Sequence, residues 1–271
     1  MQHQRVLAQN LISITVKHTD MELTGEKIMY DRRKFKEFAL KQLKGRWGIP
    51  ILVTVVAGLI SAIFQLPVTY KMFSSQSFYD FLYYSGHDLV EFLTLYSDAV
   101  NGTTTRLMSF IQIFVASVLE IAVINVYINM SRSPEPVKFT TFLEGLNLCL
   151  KAILGTLWQI LWVTLWTLLF IIPGIVRSIA YSQMFYILCE YKNVSVTKSM
   201  RISIIITRGH KWDLFVTYLS FLGWYLLCIL SLGIGFLWLV PYMNMTLTNA
   251  YHSMLKEAIE MGKITPEDLT E

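Results

Sequence analysis

At 271 residues the chain is long enough for one large domain or two small ones. Hydrophobic side chains make up 54% of it and charged ones 15%, with a mean hydropathy of +0.47, whereas a soluble domain needs about a quarter charged to wet its surface. An aromatic share of 14% excludes a disordered chain. Three scattered cysteines, Cys149, Cys189 and Cys228, exclude a disulfide-stapled module. What remains is an all-α, polytopic membrane protein.

In chain order, the first 30 residues lack a signal peptide, because Asn10, Lys17, His18 and Asp20 interrupt any apolar core. Met29 would make a natural start, so this segment reads as a mobile extension or as sequence ahead of the true start. Arg33–Lys44 follows as a basic amphipathic helix with Phe35, Phe38, Leu40 and Leu43 near one face. A transmembrane domain is expected over 31–255. A bilayer crossing takes roughly 20 apolar residues, and six runs qualify: about 48–66, 107–130, 152–172, 175–191, 214–232 and 236–252. Pro173-Gly174 is the expected turn between the third and fourth, and Gly233-Ile234-Gly235 that between the last two. Residues 256–271 form an acidic tail with Glu267, Asp268 and Glu271.

Lysine and arginine bias sets the orientation. Of 23 basic residues, only Lys71, Arg106 and Arg177 fall on one side of the six-span arrangement, which places both termini in the cytoplasm (N-in, C-in). The net charge of +4 is then explained by basic segments beside spans, where each meets anionic leaflet lipids at about 1 kcal/mol, and no nucleic-acid motif occurs. A basic helix followed by two spans recurs, opening at Arg33, Phe139 and Ser195. Gly45-Arg46-Trp47 is matched by Gly209-His210-Lys211-Trp212; glycine suits a helix end and tryptophan with lysine the membrane boundary. In the outer loop, Phe78, Phe81, Leu82, Leu89, Phe92, Leu93 and Tyr96 recur at helical spacing with Asp80, Asp88, Glu91 and Asp98 between them, the pattern of one or two short helices lying on the outer leaflet or capping the bundle.

Chemistry-bearing residues are few. Glu120 is an acid inside a span, a functional candidate by default, about 21 Å from the outer end at roughly 1.5 Å per residue. Gln159 and Asn249 fall at similar depth, so the three are expected as a polar layer. Asn125, Gln183 and Asn244 add in-span polarity suited to interhelical hydrogen bonds, and Tyr181 and Tyr242 occupy matching repeat positions. Arg177 is expected to snorkel outward. Lys198, Arg201, Arg208, His210 and Lys211 form the cytoplasmic, lipid-facing basic set. Nothing matches a Walker loop, HExxH or a nucleophile elbow. His87, His210 and His252 are dispersed, and no metal site or cofactor is expected.

The segment Arg208–Tyr251, with its Gly-His-Lys-Trp junction, LSFLGW and a glycine-separated last helix carrying Pro241-Tyr242, resembles the bacterial integral-membrane family known as domain of unknown function 975. Asp31–Pro50 and Ile172–Tyr186 look like that family's opening and middle hairpin. The resemblance implies a multi-pass protein of the bacterial cell membrane and carries no catalytic residues. The expected function is a non-enzymatic bundle that engages membrane lipid or a protein partner, a second copy included. The alternatives are a small secondary transporter using Glu120, or an intramembrane lipid-modifying enzyme.

Overall fold

The computed structural model describes residues 30–75, 78–79, 89–101 and 103–270. Residues 1–29 of the expected N-terminal extension and the Asp80, Phe81, Leu82 and Asp88 part of the outer loop lie outside these residues; Tyr30, the last residue of that extension, is described and packs edge-on against Phe35. Regular structure among them is helical throughout. The chain divides into two compact units, Val55–Ser117 and Met1–Thr54 with Val118–Glu271.

Helix α1 (Arg32–Leu43) starts because the Asp31 carboxylate accepts from the Arg33 and Lys34 amides at 2.9 and 3.3 Å, a side-chain cap on otherwise orphaned donors. It buries Phe35, Ala39 and Leu43, one stripe at helical spacing, while Leu40 points outward. The helix packs on α12 (Phe236–Glu260), where the Asn249 amide donates to Gln42 Oε1 at 2.9 Å and to the Phe35 carbonyl at 3.4 Å. Gly45 turns the chain at φ +77°, and Arg46 then donates to the carbonyls of Gln42 (2.9 Å) and Ser133 (2.6 Å). Asn249→Leu removes the buried tie between α12 and α1. Hydrogen exchange in detergent is expected to show α1 amides opening about 1–3 kcal/mol more easily, with the α6 amides unchanged; equal α1 protection in both proteins would contradict this role.

Helix α2 (Gly48–Phe73) begins where the apolar run does and continues past Leu66 with Pro67 inside it. In the smaller unit, α3 (Leu89–Val100) is helical as its spacing requires. It buries Leu95 and leaves Phe92, Leu93 and Tyr96 exposed. Lys71 Nζ donates to the Asp98 carbonyl at 2.9 Å, and Arg106 to Asn101 Oδ1 at 2.9 Å. Helix α4 (Thr103–Arg132) runs from this unit into the larger one.

In the larger unit, α5 (Phe139–Gly145) leads through a tight turn, Leu146–Leu148, into α6 (Cys149–Leu169). The chain reverses at Phe170, whose backbone is extended, and returns as α7 (Ile171–Tyr181), packed against α6. The break therefore falls ahead of Pro173-Gly174. Pro173 sits in the first turn of α7, where its missing N–H leaves no bond unmade. Gly174 lies so close to Thr167 that any side chain there would collide with it.

A second interruption, at Ser182-Gln183, separates α7 from α8 (Met184–Glu190) without a proline or glycine. Its freed backbone groups are met by α9 (Val196–Ile206). The Ser203 hydroxyl donates to the Ala180 carbonyl at 2.7 Å and accepts from the Gln183 amide at 3.2 Å. Broken helices survive in apolar surroundings only when a neighbour satisfies them in this way. Ser199, Ser203 and Thr207, four residues apart, are all fully buried; α9 thus turns a small polar stripe inward and its basic residues outward.

Helices α10 (Lys211–Leu219) and α11 (Leu222–Leu230) are followed by the expected turn at Ser231–Gly235, with Gly233 at φ +87°, and then by α12. Among the described residues, five helical segments are long and apolar enough to cross a membrane: Gly48–Phe73, Thr105–Arg132, Phe139–Leu169, Ile171–Glu190 and Lys211–Leu230. The sixth expected run is helical but is not one of these. Its residues 245–255 are wholly buried, as are 184–189 of α8, whereas α6 exposes Leu154, Leu157, Leu161, Leu165 and Leu168.

Candidate functional site

The expected polar layer is not hydrogen-bonded together. Glu120 is exposed on α4, near enough to Tyr186, Cys189 and Tyr218 to act on them electrostatically. Gln159 is half-buried, and Asn249 is committed to α1. The other polar candidates are structural ties. Asn125 donates to the Thr141 carbonyl at 2.8 Å, Asn244 to the Val240 carbonyl of its own helix at 3.0 Å, and Gln183 Nε2 to the Ser182 hydroxyl at 2.9 Å. Tyr181 is buried in the main core, and Tyr242 packs edge-on against Phe221 at 5.5 Å.

A polar cluster that sequence reading missed lies where α4, α8 and α12 meet. The Glu190 side chain is 0% exposed and that of Arg132 27%. The Arg132 guanidinium donates to Glu190 Oε1, and the Tyr251 hydroxyl donates to Oε2 at 2.5 Å, so both carboxylate oxygens are bonded. Tyr186 stacks on Tyr251 with ring centres 5.2 Å apart. Next to it, Ser131 Oγ donates to the Ile128 carbonyl at 2.7 Å and lies 2.9 Å from His252 Nε2. His252 Nδ1 is buried without a hydrogen bond. The described residues hold no group of three metal-ligating side chains. The buried ion pair ties the ends of α4 and α8 to the interior of α12. The signal available beforehand was positional: Arg132 and Glu190 each close an apolar run on the same expected side.

The basic set divides into three environments. His210 is not lipid-facing. Its side chain is 14% exposed, Nε2 lies 3.0 Å from Glu257, Nδ1 3.7 Å from Asp213, and the ring stacks on Tyr30 at 5.5 Å. The Tyr30 hydroxyl bonds Thr217 at 2.9 Å, and burial pushes that phenol well above its ordinary range. Arg208 is exposed, and it and Arg177 both act electrostatically on Lys211. Arg177 also lies over the Trp166 ring at 4.5 Å, a cation–π contact. Trp212, next to Lys211 in sequence, is 71% exposed. Lys198 and Arg201 instead line an open groove of about 390 Å³ with Thr197, Ile202, Ile205, Ile264 and Asp268. Lys198 Nζ lies 4.0 Å from Asp268 Oδ1. The Thr265 amide and hydroxyl, at 3.0 and 2.9 Å, hold the Asp268 carboxyl below its usual range.

No curated protein and no solved structure matches the chain. A family model, described as protein of unknown function DUF975, matches residues 159–258. That stretch runs from α6 to the end of α12. It contains the Ile172–Tyr186 hairpin and the Arg208–Tyr251 segment, and Asp31–Pro50 lies before it. Over these residues the chain resembles the DUF975 family.

Proposed function

We propose that the chain is a non-enzymatic integral membrane bundle of six spans, with α12 as the sixth, and that its basic face engages anionic phospholipid at the cytoplasmic side of a bacterial cell membrane. The observation that carries this reading is the exposed Trp212 next to Lys211, with Arg208 exposed close by in sequence, in a chain whose α6 leucines face outward. Tryptophan and basic residues together are the composition of a membrane–water boundary, and each cation there contributes about 1 kcal/mol of attraction to an acidic leaflet.

The test is native mass spectrometry of the full chain released from nanodiscs holding equal phosphatidylglycerol and phosphatidylcholine. The wild type is expected to retain phosphatidylglycerol preferentially. Replacing Arg201, Arg208 and Lys211 together by glutamine is expected to reduce that preference at least about tenfold. A preference that survives the triple replacement would overturn the reading.

A further inference from the structure

Helix α1 carries its charge on the side that packing leaves exposed. Its apolar stripe, Phe35, Ala39 and Leu43, is at most 2% exposed. Ala39 and Leu43 share a cluster with Tyr127 and Met130 of α4 and Met245 of α12, so the stripe that an amphipathic helix would sink into a bilayer is already taken. From Arg32 to Lys44 the exposed positions hold five cations, Arg32, Arg33, Lys34, Lys41 and Lys44, against one acid, Glu37. The end of this helix is also tied down, because Arg46 donates to the carbonyls of Gln42 and Ser133. Gly48, where the apolar α2 begins, is four residues beyond Lys44, a reach of at most about 14 Å. Lipid headgroups extend about 5–7 Å outside the hydrocarbon, and exposed charges act across about 8 Å at physiological salt. With α2 entering the hydrocarbon, Lys44 stands within range of lipid phosphate, and Lys41 lies one helical turn behind it.

We propose that the α2 end of α1 is a docking surface for an anionic leaflet, with Lys41 and Lys44 on phospholipid headgroups by charge alone and the helix not inserted. The proposal rests on the lipid-engaging reading above and adds to it a contact distant in sequence from Lys211. The short link to α2 favours the leaflet over a soluble acidic partner, because it holds these cations beside the membrane whether or not such a partner is present.

The test uses the unmodified full chain in nanodiscs, one set of phosphatidylcholine alone and one with equal phosphatidylglycerol. Lysines are acylated with an uncharged reagent and the rate at each is read by mass spectrometry. Lys41 and Lys44 are expected to react about fivefold more slowly where phosphatidylglycerol is present. They should regain the phosphatidylcholine rate at about 1 M salt, where the screening length falls to about 3 Å. Lys263, exposed in the turn after α12, is the comparator and is expected to react alike in both lipids. If Lys211 is slowed while Lys41 and Lys44 are not, the α1 assignment falls and the broader lipid reading stands. If none of the three is slowed, both fall. Slowing of Lys41 and Lys44 that persists at about 1 M salt would mean an inserted helix, and slowing of Lys263 to the same degree would mean a general effect of the acidic lipid; either overturns the proposal.

Discussion

Arg132→Ala is expected to destabilise the protein by about 3 kcal/mol, the lower part of the roughly 3–5 kcal/mol that follows removal of one partner from a buried ion pair. The carboxylate of Glu190 is fully buried; without the guanidinium its Oε1 keeps its charge and loses its strongest donor, while Tyr251 continues to hold Oε2. The lower part of the range applies because the Arg132 side chain is 27% exposed, so water partly replaces what the substitution removes. The double replacement Arg132→Ala/Glu190→Leu is expected to recover most of the loss, since an apolar substitute leaves no uncompensated charge among α4, α8 and α12. Reversible denaturation in mixed micelles, followed by tryptophan fluorescence, reads both. A single variant within about 0.5 kcal/mol of wild type, the scale of an ordinary surface change, would show that the pair does not hold these helix ends.

The same cluster marks where sequence reading stopped. Apolar runs are legible because a bilayer demands about 20 residues of them, and helices formed in all the places those runs required. The Ser231–Gly235 turn was legible too, because Gly233 supplies a positive φ that side-chain-bearing residues resist. The Ser182-Gln183 break was not. No proline or glycine announces it, and the groups that make it tolerable belong to Ser203, 20 residues further on and on another helix. Glu120 drew attention as a lone acid inside a span, whereas Arg132 and Glu190 at the ends of their runs read as ordinary boundary charges. Pairing across two helices is a property of the folded chain, and a one-dimensional pattern of charge does not contain it. The basic set shows the same limit. His210 resembles its neighbours in sequence, yet Glu257 and Tyr30, from opposite ends of the chain, hold it largely covered.

Gly145→Val is the second substitution with a large expected effect. A Cβ at Gly145 would lie 2.6 Å from the Ala122 Cα and 3.2 Å from the Cβ atoms of Ala122 and Asn125. The nearest obstacle is backbone, so α5 and α4 must separate, as helices packed through small residues do when one of them grows. Overpacking costs about 1–3 kcal/mol. Separation would also break the 2.8 Å bond from Asn125 to the Thr141 carbonyl, which spans the same seam, at a further cost of about 1 kcal/mol. The sign of a smaller change is the sharper test. By helix propensity alone, glycine to alanine inside a helix stabilises by up to about 1 kcal/mol. Gly223→Ala in α11, where a Cβ meets nothing within 4 Å, is expected to follow that rule. Gly145→Ala is expected to reverse it, lowering the denaturation midpoint in detergent, because the contact with Ala122 outweighs the propensity gain. If both alanine variants move the midpoint upward, α5 does not depend on its close approach to α4, and the seam built on Gly145, Ala122 and Asn125 is not what positions the α6–α7 hairpin.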